Sequence, residues 1–277
     1  MADQFKEKVA IVTGGASGIG KALCEALCQR GARVTVADID LTRAQKLASV
    51  LSANGGRAHA AHVDVANREF LEQLVANTTS EYGRLDYMFN NAAATATRGE
   101  LRDLTLEPWY RAIDVNLLGV VYGTIAAYSV MTRQGFGHIV NTASLAGLVG
   151  FPTSIPYGAT KSAVIGLSVS LRIEAADLGV KISVVCPGPV HAPEQPRSRL
   201  IGIERAAQLI LRGVERDQAI IVFPLSARLL WWMYRLSPRL LFPIGRKVVR
   251  DFRAEHRPPT PPGRPTKSPP TARGAGA

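Results

Sequence analysis

The stretch Val9-Ala10-Ile11-Val12-Thr13-Gly14-Gly15-Ala16-Ser17-Gly18-Ile19-Gly20 decides how this chain is built. Residues 9–12 form a short, apolar, β-branched run that reads as a strand, and 18–30 reads as a helix. The glycines between them allow a tight turn and let backbone come close to a pyrophosphate. The helix N-terminus behind the turn offers free N–H groups and a favourable dipole. A glycine-rich turn is a weak signal alone, but strand before and helix after give it weight.

Working outward, the same rhythm continues. Runs at 33–37, 59–63, 85–89, 138–141, 181–185 and 219–223 read as further strands. Helical patterns at 42–53, 68–82, 109–132, 154–177 and 204–214 separate them, with 109–132 expected as one long helix. Strands apolar on both faces and spaced by helices imply an α/β, doubly wound parallel sheet, the Rossmann arrangement. Its ligand crevice lies beyond the carboxyl ends of the strands. One unit is expected over 1–224, followed by an amphipathic helical extension at 225–256, broken at Ser237-Pro238, and a Pro-rich tail at 257–277 that is expected to be disordered.

Of the 277 residues, 47% are apolar, enough for a large core. Cys24, Cys28 and Cys186 do not make a disulfide framework and are expected as buried thiols in a reducing compartment. The five histidines are scattered without metal-ligand spacing, so no metal site is expected. No signal-peptide pattern and no run of ~18 apolar residues is seen, so the expected location is cytoplasmic. The net charge of +11 is uneven: from residue 225 on, 11 Lys and Arg face 2 acids, while the rest is nearly neutral. Arguments about anionic partners start at the C-terminus.

Asp38 ends the second strand. A carboxylate there can accept both hydroxyls of an adenosine ribose and repels a 2′-phosphate, which points to NAD, with NADP the second choice. Its competing role is to cap the helix starting near Leu41, which Asp40 could serve equally. Tyr157 and Lys161 stand four apart near the start of a helix and so share a face. A free tyrosine has a pKa of about 10; an ammonium beside it lowers that value and makes the pair a general acid/base for C–OH/C=O interconversion. Ser144, just past the fifth strand, can donate to a substrate oxygen or merely cap a turn.

These motifs in this order resemble the short-chain dehydrogenase/reductase family over about residues 6–223: the turn at Thr13 to Gly20, Asp38, Asp64-Val65, Asn90-Asn91-Ala92-Ala93, Asn116, Ser144, Tyr157 with Lys161, and Pro187-Gly188. The resemblance implies Tyr157 as acid/base, Lys161 lowering its pKa and binding the nicotinamide ribose, and Ser144 holding the substrate oxygen. It implies that Asn116 holds a relay water; its alternative is to stabilise a helix bend. Gly14, Ser17, Gly18, Ile19 and Gly20 would cradle the cofactor, with Asp64 and Val65 at the adenine. Asn90 would lie near the adenosine ribose, Ala92 would line the groove, and Pro187, Gly188 and Val190 would flank the nicotinamide. The chain departs from the family at Ala93, where glycine is common, and at Ala192, where threonine is common.

The loop after Ser144 is apolar (Leu145, Leu148, Val149, Phe151, Pro152), and 189–202 is short and polar with no obvious helix. The expected substrate is an apolar secondary alcohol or ketone of lipid, steroid or retinoid type. The alternatives are an NADPH-dependent carbonyl reductase and a non-catalytic, nucleotide-binding, membrane-associated adaptor. The extension is rich in Leu, Trp231, Trp232, Tyr234 and Phe242 and in arginine, which suits peripheral membrane contact, a cap over the active site or a partner subunit equally. Nucleic-acid binding is not expected, since the body is neutral and lacks a base-stacking motif. The resemblance also implies a homodimer or homotetramer built on the long helices.

Overall fold

The computed structural model describes residues 3–191 and 201–256. The expectations for Ala192 and for the tail 257–277 lie outside the described residues. Seven parallel strands form one sheet in the order β3-β2-β1-β4-β5-β6-β9. They are β1 (Val9–Thr13), β2 (Arg33–Asp38), β3 (Arg57–His62), β4 (Tyr87–Asn90), β5 (Gly137–Thr142), β6 (Val180–Pro187) and β9 (Ile220–Phe223). The helices that cross between them are α1 (Gly18–Gln29), α2 (Leu41–Ala53), α3 (Arg68–Tyr82), α4 (Glu107–Ile113) continuing into α5 (Gly119–Gln134), α6 (Leu145–Leu148), α7 (Ile155–Glu174) and α8 (Ile203–Glu215). Two short strands, β7 (Val190–His191) and β8 (Ile201–Gly202), pair beside α8. The chain direction across the sheet reverses between β1 and β4, which puts the crevice above those two strands.

Burial explains the sequence pattern. All five residues of β1 and all four of β4 are buried, because helices cover both faces of the sheet. Beneath one face, Leu23 and Leu27 of α1 and Ile210 and Leu211 of α8 pack on Val12, Val36 and Val140. Beneath the other, Leu71 and Val75 of α3 and Ala127 and Met131 of α5 pack on Ile11, Met88 and Ile139. Edge strand β3 is the exception, since none of its residues is fully buried. Local signals set the ends: Asp40 and Asn67 accept from the Arg43 and Phe70 N–H groups to cap α2 and α3, and left-handed Gly83 and Gly135 end α3 and α5.

The expected long helix is continuous from Glu107 to Gln134, but Asp114–Leu118 is a π-helical turn. That wider turn re-aims Asn116, a placement that the 3.6-residue period does not anticipate. This helix is long and apolar enough to cross a membrane by composition, yet Val120, Gly123, Thr124, Ala127 and Met131 are buried within the fold. Two further helices follow β9: α9 (Leu225–Leu236) and α10 (Phe242–His256), with a 3₁₀ turn at Pro238–Leu241 between them. Only Ala227 of α9 and Phe252 of α10 are buried.

Candidate active site

At the carboxyl end of the sheet lies a cleft of about 540 Å³. Because the strands stand side by side in the order β2, β1, β4, β5, β6, the residues just past them line it in sequence: Asp38 and Ile39, then Gly14, Ser17, Gly18 and Ile19, then Asn91 to Ala94, then Ser144, then Pro187, Gly188 and Val190. Val63, Asp64 and Val65 close the Asp38 end, and Tyr157 and Lys161 enter from α7.

The turn after β1 is built for close approach. Gly14 has φ +62°, and a Cβ there would stand 2.9 Å from Ala92 Cα. Gly20 does not face the cleft; a Cβ on it would meet Gly14 O at 2.1 Å, so it lets α1 dock on the turn. Thr13 Oγ1 accepts from the N–H groups of Asn91 and Ala92, which fixes the loop after β4 against this turn. Ser17 stands at the N-cap of α1 with its side chain making no cap bond. The free N–H groups there are donors for an anion.

Asp38 is buried and accepts from Ala16 N at 2.9 Å and from Asp40 N at 3.0 Å. The capping of α2 falls to Asp40, so Asp38 is left to the cleft. Asp64 also lines it, accepting from Ala66 N at 3.0 Å.

Asn90 stands elsewhere than the resemblance implies. Its side chain is buried, donates to Asn141 Oδ1 at 2.8 Å and Thr124 Oγ1 at 3.2 Å, and does not line the cleft. As the last residue of β4 it alternates inward into the core, and its neighbour Asn91 takes the cleft side.

Lys161 is fully buried, and its ammonium donates to Thr142 O at 2.7 Å and stands 5.7 Å from the centre of the Tyr157 ring. Burial pushes its pKa down to about 8. The Ser144 hydroxyl stands near enough to the Tyr157 phenol to favour its ionised form, and Ser144 also caps α6 by accepting from Ala146 N at 3.1 Å, so its two candidate roles coexist. The expected lowering of the Tyr157 pKa does not appear in the protein alone. Burial raises it, and the Ser144 hydroxyl only partly offsets that. The reason is geometric: the ammonium is held by the Thr142 carbonyl rather than by the phenol oxygen. Cys186 sits behind this group; burial pushes its thiol up to about 12, so it stays neutral.

Asn116, in the π-helical turn, is buried outside the main cleft. Its Oδ1 accepts from Ala94 N at 2.8 Å and its Nδ2 donates to Ala94 O at 3.4 Å, clamping a cleft-lining residue. It shares a small neighbouring cavity with Tyr157 and Arg111. Arg111, on α4, lines the main cleft as well and was not anticipated from sequence. Nothing in a solvent-facing arginine on a helix marks it beforehand.

Comparison with known proteins agrees with this geometry. Residues 8–199 match the family model for short chain dehydrogenase. The chain is 39% identical over 193 residues to cyclohexanol dehydrogenase of Acinetobacter sp. strain SE19, covering 70% of this chain and 77% of that protein. It is 30% identical over 210 residues to 3beta-hydroxysteroid dehydrogenase of Mediterraneibacter gnavus, covering 76% of each. The apo crystal structure of LigD from Sphingobium sp. strain SYK-6 superposes with a TM-score of 0.77 at 28% identity, covering 84% of this chain and 97% of LigD. A parallel sheet whose carboxyl edge gathers a glycine-rich turn, Ser144, Tyr157 and Lys161 thus coincides with a match over most of the chain, and the protein belongs to the short-chain dehydrogenase family, oxidoreductases acting on CH–OH donors.

Proposed function

We propose that this protein is an NAD-dependent oxidoreductase that interconverts an apolar secondary alcohol and its ketone, with Tyr157 as the proton-transfer group. The observation that carries this reading is the junction of Tyr157, Ser144 and Lys161 at one end of a single cleft whose other end is Asp38.

The residues present suit a dinucleotide. Gly14 leaves no room for a side chain, the α1 N-terminus offers uncapped N–H groups for the pyrophosphate, and Asp38 faces the cleft where a ribose would lie. Among the described residues the basic ones that line the cleft are Arg111 and Lys161, both on the Tyr157 side, and the nearby Arg43 is paired with Asp40, so the Asp38 end of the lining carries no cation for a 2′-phosphate. That supports NAD. A nicotinamide held beside Pro187, Gly188 and Val190 would supply hydride exchange with the carbinol carbon of the substrate. The chain supplies the rest. Ser144 Oγ and the Tyr157 hydroxyl bracket the substrate oxygen. Tyr157 takes the alcohol proton in oxidation or returns it in reduction. Lys161, mostly protonated at neutral pH and fixed by the Thr142 carbonyl, places a positive charge 5.7 Å from the centre of the Tyr157 ring. An oxidised nicotinamide bound there would add its positive charge to that of Lys161, and both are needed to reverse the upward shift that burial imposes on Tyr157.

Apolar lining of the cleft supports the substrate class: Ala93, Ala94, Val115 and Ala143 line it, and Leu145 and Leu148 follow Ser144 in the chain. The names of the cyclohexanol and hydroxysteroid dehydrogenases point the same way. Exposed Ile125 on α5 and Val169 and Ile173 on α7 provide a face for the homodimer that family membership suggests. The test is a panel of cyclic and steroid alcohols with NAD and NADP side by side. Turnover is expected with NAD. Full turnover by Tyr157→Phe on an accepted substrate defeats the proton-transfer assignment, and preference for NADP defeats the cofactor assignment.

A further inference from the structure

A second cavity, about 720 Å³, lies between the 150–155 loop and the C-terminal helices. The matched family segment ends at residue 199, so one wall belongs to the extension alone. Phe151, Pro152 and Ile155 form one side; Tyr234, Leu241 and Val249 form the other. Phe151 and Ile155 remain 47% and 38% exposed, an apolar surface left for something to cover. Its size falls in the range of small-molecule sites.

The charge is one-sided. Arg246 and Arg250, one helical turn apart on α10, line this cavity, as does Arg253, and no carboxylate among the described residues lines it. Arg253 is engaged by Glu100 in a two-point ion pair at 2.8 and 2.9 Å. Arg246 and Arg250 have no ion-pair partner among the described residues. Two guanidinium groups beside an apolar chamber match a molecule with a hydrocarbon body and a planar anionic head, since guanidinium and carboxylate pair through parallel N–H···O bonds. Gly245 also lines the cavity, and a Cβ there would meet nothing within 4 Å, so the helix opens a gap where a chain could lie.

We propose that this cavity binds a long-chain carboxylate one molecule at a time, with the hydrocarbon between the 150–155 loop and α10 and the carboxylate on Arg246 and Arg250. The site is separate from the catalytic cleft and does not rest on the reaction assigned there. The ligand would lie against Ile155, at the start of the helix that carries Tyr157.

The experiment is calorimetric titration of the full chain with laurate below its micelle concentration, with dodecyltrimethylammonium as the same chain bearing a cation. Laurate is expected to bind at least ten times tighter. Arg246→Gln with Arg250→Gln should weaken laurate at least tenfold. Gly245→Phe, whose Cβ would meet nothing within 4 Å and whose ring would occupy the gap, should abolish binding while leaving NAD binding unchanged. Equal binding of the two detergents, or laurate binding unaltered by Gly245→Phe, overturns the proposal. So does binding only to phosphatidylglycerol vesicles without monomeric laurate, which would make this face a membrane surface. If sedimentation shows that Gly245→Phe dissociates a dimer and laurate does not bind, the cavity is a subunit interface and the proposal falls.

Discussion

The catalytic cleft and the C-terminal extension both juxtapose apolar walls with basic side chains, but they are anchored differently. Around the cleft several polar groups are tied to the end of a strand or to a neighbouring strand's loop. Lys161 is bonded to Thr142 O, Asn116 clamps Ala94, and Thr13 holds the turn at Asn91 and Ala92. Those groups are buried, so their geometry is over-determined by the core. The extension rests on few anchors: Ala227 packed near Gly188, Phe252 under Arg98, and the Arg253–Glu100 pair. Leu229, Trp232, Leu236 and Phe242 stay 60% or more exposed. Rigid burial suits proton transfer, which requires fixed atoms. A lightly held helical pair suits recognition, which can tolerate adjustment. The two regions touch where Ala227 meets Gly188, one of the residues lining the cleft.

The sharpest way to break this contrast is at Tyr157. Tyr157→Phe removes the phenol oxygen and keeps the ring, so kcat/KM should fall by about 10³-fold or more while the circular dichroism melt is unchanged, in line with the usual weight of general acid–base catalysis. A loss under tenfold would show that the buried cluster is structural.

Next in size is an acid sensitivity that belongs to the core and not to the extension. His138 is buried at the start of β5 with its Nε2 2.8 Å from Ser183 Oγ, and burial pushes its pKa down from 6.5 to about 4. The folded protein keeps it neutral while the unfolded chain protonates below 6.5. Its contribution is therefore complete above 6.5 and is lost as pH falls toward 4, an order of ~3 kcal/mol in total. Urea midpoints at pH 7 and pH 5 should drop less for His138→Gln than for the native chain. Equal drops would place the acid sensitivity elsewhere.

Asp38→Ser comes third. Removing the negative charge should lower the preference for NAD over NADP by about 30-fold, ~2 kcal/mol. Because Asp38 also holds Ala16 N and Asp40 N, a melting curve must accompany the kinetics. An unchanged cofactor ratio in a folded variant removes Asp38 from the discrimination. The smallest effect is expected at Glu100→Gln: hydrogen exchange over 242–256 should accelerate with little change in kcat. Slow exchange there would show the extension to be as firmly held as the cleft.

Much of this was legible beforehand, for local reasons. Strands buried on both faces produce apolar runs, and the glycine turn and the Tyr157/Lys161 spacing are written within short windows. The candidate cleft residues Gly14, Ser17, Asp38, Asp64, Ala92, Ser144, Tyr157, Lys161 and Gly188 do stand around one space. What was not legible depends on contacts distant in the chain. A π-helical turn at Asn116 obeys the same apolar pattern as an α-helix. Asn90 differs from Asn91 only by which way its strand alternates. Arg111 looks like any surface arginine until α4 is docked.

The sequence alone determined the parallel sheet, the place of its crevice and most of the groups that converge there, because periodicity and spacing are properties of neighbours along the chain. Only the tertiary structure decided the balance of charge inside that crevice. Burial moves Lys161 down and Tyr157 up, and desolvation is a property of everything packed around a side chain. It also decided that the 150–155 loop and α10, about a hundred residues apart, enclose a second cavity beside the guanidinium groups of Arg246 and Arg250, which have no ion-pair partner among the described residues.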